Sequence, residues 1–381
     1  MALRGKIRVG VVGAGIAAQG SHLPWYRLHP RARLTAVADT DEAKLRLVTA
    51  LFGVPRAYRD ASELFASGQV DAVSICTPPW CHERQVVEAA QAGIHVLCEK
   101  PLATSVAEAR RMLRAAADAG VILQVGFQKR FHEGFRKIKR MIAEGRLGEI
   151  MSARAHWYFW YPDVKAPPFN GIVRAAGRLG VELENLLGFW RFTDSRTRGC
   201  SIIDYSIHYV DLLRHMMGEV LEVSCETSTV CRGRAHEDQS LLALRFESGA
   251  LGFIEHNLNV VGRSPGEESG VIQGTKGSVR FRVAAPNSPV PFRMERYTYA
   301  NVLTDRWTAS RFVPGTEIRQ YRDQIDFFVG SIAGEVPRRL RDAAPDTGED
   351  SLRSLRIVSA AYRSAREGRR IRIRSRSPAD G

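Results

Sequence analysis

Residues 9–19 read VGVVGAGIAAQ, an apolar run that ends in the pattern Gly13-x-Gly15-x-x-Ala18. The run is typical of a first β-strand, and the glycines fall where the chain must turn into a helix. Gly13 would permit the tight turn, Gly15 would let the backbone approach a pyrophosphate, and the small Ala18 would let the helix pack close to the strand. The stretch therefore predicts a dinucleotide-binding fold, although the glycines alone would also fit a simple turn.

The second apolar run, RLTAVAD, ends in the carboxylate of Asp39. Its position matches the distance downstream at which an acid bonds a ribose 2′-hydroxyl. An acid there repels a 2′-phosphate, and the next residues, Thr40 and Asp41, supply no arginine to bind one. The sequence therefore predicts NAD as the cofactor, with NADP less favoured.

The first third of the chain alternates strand-like and helix-like segments. Five apolar runs, KIRVGVVGAG, RLTAVAD, VDAVSICTP, GIHVLCEK and VILQVGF, are separated by segments with helical spacing. Strands that are apolar throughout and alternate with helices are typical of a parallel sheet covered on both faces. We predict an α/β protein whose residues 1–128 form a doubly wound Rossmann domain.

After about residue 128 the pattern changes to alternating, β-branched and aromatic runs joined by hairpin-like turns such as ESGA and GTKG. These runs predict an antiparallel sheet in a second domain, residues 129–381. Two late helical segments, YRDQIDFFVGSIAGE and GEDSLRSLRIVSAAYRSAREG, are predicted to pack on this second domain. Residues 161–199 are the least predictable part of the chain.

Length and charge limit the classes of protein to consider. A chain of 381 residues exceeds what one core usually supports, so two domains are expected. The formal charge of +14 raises nucleic acid and acidic membranes as partners, but the positive residues are spread out and densest only in RSAREGRRIRIRSRS, which fits an edge strand and a frayed tail. We expect a solvated basic surface and neither nucleic acid nor membrane as partner, with polyanion contact as the alternative.

The six cysteines show no paired spacing of the kind that binds metal, and no run reaches transmembrane length. We expect reduced thiols, no metal site and a cytoplasmic protein.

The segment LCEKPLA, residues 97–103, places Lys100 between Glu99 and Pro101 at the end of the fourth predicted strand. Doubly wound folds bind ligands at the carboxyl ends of their strands, so TPPWCH after the third strand and CEKPLA after the fourth should face the crevice. Pro101 restricts the backbone of the lysine. Lys100 is thus predicted to lie where a nicotinamide would bind, although an ordinary surface turn also fits Lys-Pro.

A second candidate lies in GCSIIDYSIHYVDLLRHMMG, where Asp204 and His208 are four positions apart in an apolar, helix-like stretch. Residues four apart share a helix face, so the carboxylate and the imidazole would project together. Asp211, three positions later, would either hydrogen-bond the imidazole or simply be exposed. A lone buried histidine is more often structural, so this pattern gains weight only in combination with Lys100.

Together these motifs resemble the Gfo/Idh/MocA family, the glucose–fructose oxidoreductase and inositol dehydrogenase group, over essentially the whole chain. The segments that carry the resemblance are GVVGAGIAA, AVADTD, VSICTPPWCH, VLCEKPLA, VGFQKRF, DYSIHYVDLL and GTKGSV. The resemblance implies a Rossmann domain followed by a C-terminal α/β domain with a large, open, mainly antiparallel sheet used for homodimer or homotetramer contacts. One departure is RTRGCSIID, which has the single Gly199 where the family often has a glycine-rich run.

The resemblance also implies residue roles. The family's catalytic lysine, aspartate and histidine match Lys100, Asp204 and His208. Cofactor binding is expected at Gly13, Gly15, Ile16, Ala17, Asp39, Thr77, Pro78, His82, Glu99, Lys100 and Gln128. Substrate binding is expected at Lys100, Arg130, Trp160, Trp190, Arg191, Asp204 and His208.

These assignments suggest an NAD-dependent oxidoreductase that moves a hydride between the nicotinamide and a secondary alcohol or ketone of a sugar, amino sugar or cyclitol. His208 would act as the general base in oxidation, Lys100 would stabilise the alkoxide, and Asp204 would hold a neighbouring hydroxyl or orient the lysine. One alternative is an NAD-dependent glycosidase of the same fold with no net redox change. The other is a non-catalytic NAD-binding regulator, against which the retained lysine and histidine argue.

Overall fold

The structure is a computed structural model that describes residues 5–373 apart from 161–168, 179–189, 232–233, 261–266, 284–291, 299–300, 302–305, 311 and 313–315. The chain forms two compact units. The first unit consists of the described residues of Met1–Phe131 and Ile318–Leu352. The second unit consists of those of His132–Asn185, Phe189–Glu317 and Arg353–Gly381.

The first unit is built on a parallel sheet of six strands. In chain order they are β1 (Ile7–Val12), β2 (Ala32–Ala38), β3 (Ala57–Tyr58), β4 (Ala72–Ile75), β5 (His95–Cys98) and β6 (Leu123–Val125). Their order across the sheet is β3-β2-β1-β4-β5-β6, and every pair is parallel. The order reverses beside β1, which is the point at which doubly wound folds bind ligands. This topology confirms the predicted Rossmann domain and adds β3, whose two residues are too few to give a sequence pattern.

The helices are numbered along the chain. They are α1 (Leu23–Leu28), α2 (Glu42–Phe52), α3 (Ala61–Ala66), α4 (Pro79–Gln91), α5 (Val106–Asp118), α6 (Glu133–Ala143), α7 (Phe169–Arg178), α8 (Trp190–Thr193), α9 (Ile207–Met217), α10 (Thr316–Ile332) and α11 (Glu349–Glu367). Two π-helical turns, Ala18–His22 and Ser201–Ser206, lead directly into α1 and α9. Short 3-10 turns lie at Gln128–Phe131, Ser195–Thr197 and Arg338–Leu340.

Local sequence explains where several helices begin and end. The Asp41 carboxylate accepts the N–H groups of Ala43 and Lys44 and so caps α2, which ends at Gly53 in the left-handed conformation. Ser105 caps α5 in the same way through its hydroxyl. The cap residues and the terminal glycine set the helix boundaries without help from the rest of the fold.

The placement of α10 differs from the prediction. Its apolar residues Ile325, Phe328 and Val329 are buried in the same core cluster as Val9 and Val11 of β1. The helix therefore belongs to the first unit, and the prediction that all of 129–381 forms one domain with both late helices on it is wrong in this part. An amphipathic pattern shows that a helix buries one face, but it does not show which sheet that face covers.

The second unit is built on a sheet of nine strands. They are β7 (Ile150–Tyr158), β8 (Val220–Ser228), β9 (Gln239–Phe246), β10 (Leu251–Asn257), β11 (Glu267–Gly274), β12 (Gly277–Val283), β13 (Arg293–Thr298), β14 (Thr308–Ser310) and β15 (Ile371–Arg372). Their order is β14-β13-β12-β11-β7-β10-β9-β8-β15, with β7 and β10 parallel and the other neighbours antiparallel. The predicted mainly antiparallel sheet is confirmed, and the C-terminal strand lies at its edge as expected.

The nine-stranded sheet buries one face. Along β7, Ala153 and Ala155 are buried while Arg154 between them is exposed, and on β12 Val279 is buried while Arg280 is exposed. This alternation is what a sheet with one covered face and one open face requires.

Two general findings concern the part of the chain that the structure describes. No helix in those ranges has both the length and the apolar character to cross a bilayer. All six cysteines lie within the described ranges, and none of them forms a disulfide bond.

Candidate active site

The loop after β1 is shaped by glycine. Gly13 has φ +89°, and a Cβ there would come within 2.8 Å of backbone atoms of Cys76 and Thr77, so a side chain fits neither the conformation nor the space. A Cβ on Gly15 would meet no atom within 4 Å, which leaves open space beside that backbone. The fully buried Ala18 then begins the helical turn. The loop therefore leaves open space beside the backbone of Gly15, of the kind that a pyrophosphate occupies. We call Gly13 and Gly15 the glycine cradle.

The carboxylate of Asp39 lies beside this cradle. Its Oδ2 accepts the N–H of Ala14 at 2.7 Å, and its Oδ1 accepts the N–H of Asp41 at 2.8 Å. Ile16, which follows the cradle, exposes 57% of its surface. An acid fixed at this edge fits the ribose of NAD and disfavours a 2′-phosphate. Gly13, Gly15 and Asp39 are thus the residues that would hold NAD.

The loops after β4 and β5 are joined by His82. Its imidazole is fully buried, with Nε2 2.9 Å from the carbonyl oxygen of Thr77 and Nδ1 3.0 Å from that of Pro101. Burial lowers the pKa of His82. The predicted direct contact of His82 with the cofactor is therefore not supported by its surroundings, because the side chain ties two loops together. Thr77 donates its hydroxyl to Gln85, and Pro78 directly precedes α4.

Lys100 follows β5 at the same carboxyl edge of the parallel sheet as the glycine cradle. Its peptide bond to Pro101 is cis. Its backbone N–H donates to Oε2 of Glu99 at 3.2 Å. The sheet therefore brings the backbone of Lys100 to the edge that carries the glycine cradle, and its catalytic role stays a prediction.

A buried polar cluster beneath this edge was missed by the sequence reasoning. His22 is fully buried, with Nε2 2.9 Å from Oε1 of Glu99 and Nδ1 3.1 Å from the hydroxyl of Ser74. Tyr26, also fully buried, shares the same hydroxyl at 2.8 Å. The signal in the sequence was one histidine after the glycine loop, and such a histidine is more often structural.

Two residues after β6 have different surroundings from those predicted. The Arg130 side chain is fully buried and pairs with Asp350 at 2.7 Å, so its predicted contact with substrate is not supported by its surroundings. Gln128 is buried and donates to the hydroxyl of Tyr321 on α10.

In the second unit, the structure brings together three predicted substrate residues. Nε of Arg191 donates to Oδ2 of Asp204 at 2.6 Å, and the Arg191 guanidinium lies 4.2 Å from the centre of the Trp190 ring. Asp204 lies in the π-helical turn, and His208 follows in the first turn of α9. Both are buried. The predicted single helix is thus a π turn continued by an α-helix.

Aromatic side chains surround His208. The Trp157 ring on β7 meets the His208 imidazole edge-on at 5.8 Å between centres, and it contacts Tyr205 and His256 as well. Tyr205 and His256 are stacked at 4.6 Å. This packing holds the imidazole against the sheet.

Two other residues of this region are also located. Asp211 is buried, and its Oδ1 lies 3.4 Å from the hydroxyl of Ser354, so the alternative that it is simply exposed is wrong. Trp160 forms an isolated bridge with Asn259 and leaves 39% of its surface exposed. Tyr161 lies outside the described residues.

The turn that carries Asp204 is held by Glu237. Its Oε1 accepts the N–H groups of Cys200 and Ile202 and the hydroxyl of Tyr362. A carboxylate is favourable here because the first N–H groups of a helical turn have no partner within it.

Glycine is required at position 199 because Tyr362, which bonds Glu237, lies directly against it. A Cβ at Gly199 would lie 1.9 Å from the Tyr362 hydroxyl oxygen, and its φ is +147°. We expect Gly199→Ala to lower the free energy of unfolding by about 2–4 kcal/mol, from overlap plus backbone strain. Chemical denaturation measures this. Gly249→Ala is the control, because φ is +89° but a Cβ there meets no atom within 4 Å. Equal losses in the two variants would contradict the overlap.

Comparison with known proteins agrees with this geometry. Residues 7–127 match the model of the oxidoreductase family with an NAD-binding Rossmann fold, and residues 135–280 match that of the GFO/IDH/MocA C-terminal domain. The chain is 29% identical over 378 residues to the myo-inositol 2-dehydrogenase of Thermotoga maritima, covering 96% of this chain and 98% of that protein. It is 26% identical over 376 residues to the D-apiose dehydrogenase of Paraburkholderia graminis, covering 97% and 90%.

A solved structure gives the same result. The WlbA dehydrogenase of Bordetella pertussis, solved with NADH and UDP-GlcNAcA, superposes with a TM-score of 0.75 at 29% identity, covering 97% of this chain and 100% of that one. The two family models span more than half of the chain, one on the glycine cradle and its parallel sheet and the other on the mainly antiparallel sheet. The chain therefore belongs to the Gfo/Idh/MocA family of NAD-binding oxidoreductases.

Proposed function

We propose that the protein is an NAD-dependent dehydrogenase that oxidises a secondary alcohol of a sugar, amino sugar or cyclitol, or reduces the corresponding ketone. The observation that carries the proposal is the position of Lys100, which lies on the same edge of one parallel sheet as the Gly13–Gly15 cradle and Asp39. The relatives named above act, by their names, on inositol and apiose. A polyhydroxylated ring is the substrate class that suits several polar side chains at once.

The residues have separate roles in this proposal. When bound, NAD supplies the hydride acceptor. His208 takes the proton of the substrate hydroxyl in oxidation and returns it in reduction. The Lys100 ammonium stabilises the negative charge that develops on the same oxygen. Asp204, paired with Arg191, accepts a hydrogen bond from a neighbouring hydroxyl.

A substrate panel tests the proposal. Purified protein with NAD is offered cyclitols, aldoses, amino sugars and simple aliphatic alcohols, and NADH formation is followed by absorbance. We expect NADH with at least one cyclic polyol, none with the aliphatic alcohols, and a lower kcat/KM with NADP because Asp39 repels its 2′-phosphate. Release of a sugar or aglycone from glycosides without NADH accumulating would identify the glycosidase alternative instead. NAD binding without any turnover would identify a regulator.

Assembly and location belong to the same proposal. We propose a homodimer or homotetramer formed through the open face of the nine-stranded sheet, where Leu241 and Leu251 are exposed. A cytoplasmic location fits six described cysteines that form no disulfide bond.

A further inference from the structure

The buried pair of His22 and Glu99 connects two functional loops of the first unit. His22 ends the π-helical turn that follows the glycine cradle, and Glu99 precedes Lys100. The imidazole Nε2 lies 2.9 Å from Oε1 of Glu99, while Oε2 of the same carboxylate accepts the Lys100 N–H at 3.2 Å. One carboxylate thus joins the cofactor turn to the backbone of the lysine.

Close packing limits where this carboxylate can go. A Cβ on Gly126, after β6, would lie 2.9 Å from Oε1 and 3.2 Å from Cα of Glu99, so a side chain there would press on the carboxylate. Ser74 bonds the other nitrogen of His22, which fixes the plane of the imidazole ring. The Glu99 side chain therefore has one well-defined position, set by neighbours from three strands and the helical turn.

Charge supports the same arrangement. Burial by itself lowers the pKa of His22, but Cys76 and Glu99 raise it to about 10. Burial by itself raises the pKa of Glu99, but the hydrogen bond and charge of His22, together with the charge and backbone N–H of Lys100, outweigh it and lower that pKa. The other titratable groups facing the pair are Tyr26, Cys76, His82, Cys98 and Lys100. Burial raises the pKa of Tyr26 and Cys98. Burial also raises the pKa of Cys76, and the charge and hydrogen bond of His22 offset part of that rise.

We propose that His22 is a positioning residue for Lys100, acting through Glu99. The imidazolium anchors the Glu99 carboxylate, and this carboxylate accepts the Lys100 N–H and so holds the lysine backbone in place. Without His22, Oε1 of the carboxylate would lose this hydrogen bond, and its position would be less well fixed. This inference rests on the proposed function for the role of Lys100, whereas the pairing itself does not.

The experiment compares His22→Gln, Glu99→Gln and the double variant with the wild type. Glutamine at position 22 keeps an N–H donor but removes the charge. His29→Gln is the matched control, because His29 pairs with the Asp326 carboxylate at 3.1 Å in the same unit and has no contact with Glu99. Histidine labelled with ¹⁵N reports the ring protonation by NMR, fluorescence titration gives the NADH affinity, and steady-state kinetics give kcat and KM across pH.

We expect His22 to keep its proton well above pH 7, in a resonance that His22→Gln removes. His22→Gln should lower kcat about 10²-fold, the usual effect of misplacing a reacting group by about 1 Å, with little change in substrate KM. Its activity and its NADH affinity should fall at a higher pH on the acidic side than in the wild type, because the pKa of Glu99 rises when the hydrogen bond and charge of His22 are lost. The double variant of His22 and Glu99 should not show this shift in pH dependence, because it has no carboxylate at position 99. His29→Gln should behave like the wild type.

Two results would overturn the inference. One is a His22 ring that titrates near its ordinary pKa of about 6.5. The other is a His22→Gln variant, folded by circular dichroism, whose pH dependence matches the wild type. NMR and NADH titration need no turnover, so they decide the coupling even if the substrate panel fails and the proposed function with it.

Discussion

Lys100→Met is expected to reduce kcat at least ~10²-fold while leaving the NAD dissociation constant nearly unchanged. Methionine fills a similar volume but carries no charge, so the developing alkoxide would lose the cation that is proposed to stabilise it. The cofactor cradle of Gly13, Gly15 and Asp39 makes its contacts elsewhere on the sheet edge and stays intact. Stopped-flow measurement of NADH formation and a separate NAD titration distinguish the two effects.

Lys6→Met is the matched control for this variant. Lys6 is exposed and precedes β1, so it lies at the opposite, amino edge of the same parallel sheet. The control should retain wild-type turnover. If Lys100→Met also retained it, the lysine would have no catalytic role and the assignment would be wrong.

His208→Asn is expected to reduce turnover by a similar factor, at least ~10²-fold, because asparagine is polar but exchanges no proton near neutral pH. The nearby Trp157, Tyr205 and His256 rings pack against one another, so the substitution removes the imidazole without removing those contacts. The loss should be largest in the direction and pH range where proton transfer limits the rate. Steady-state rates across pH measure it.

Two further variants test the role of His208. His215→Asn is the control on the same helix, because His215 bonds Lys139 instead. The double variant of Lys100 and His208 should lose less than the product of the single losses, since both groups are proposed to act on one oxygen. Fully multiplicative losses would mean that the two residues act on different steps.

The cofactor site was predictable from sequence because its determinants are local. Gly13 is needed for a positive φ and a close backbone approach, and both requirements come from the strand, turn and helix written in consecutive residues. Asp39 follows at a spacing that one helix and one strand impose. The same holds for the Asp41 and Ser105 caps, which satisfy N–H groups two or three residues away.

The missed features depend on residues far apart in the chain. His22 and Glu99 are separated by 77 positions, and no local pattern shows that an imidazole will lie beneath the lysine loop. Arg130 looked available for substrate, but Asp350, 220 positions later, occupies its guanidinium. Gly199 was noted in the sequence only as the single glycine at a point where the family often has several, and the contact with Tyr362 shows which atom a side chain there would overlap.

The sequence by itself determined the fold class of each half of the chain. Hydrophobic periodicity and turn residues act over a few positions, so they can be recognised without knowing which distant residues they contact. It also determined the cradle, the acid beside it, and the candidate lysine, aspartate and histidine. Only the tertiary structure decided that α10 covers the parallel sheet, that His82 and Arg130 are held inside the first unit, and that His22 supports Glu99. Those outcomes depend on which buried polar and apolar groups meet, and burial requires every such group to find a partner that the chain supplies from a distance.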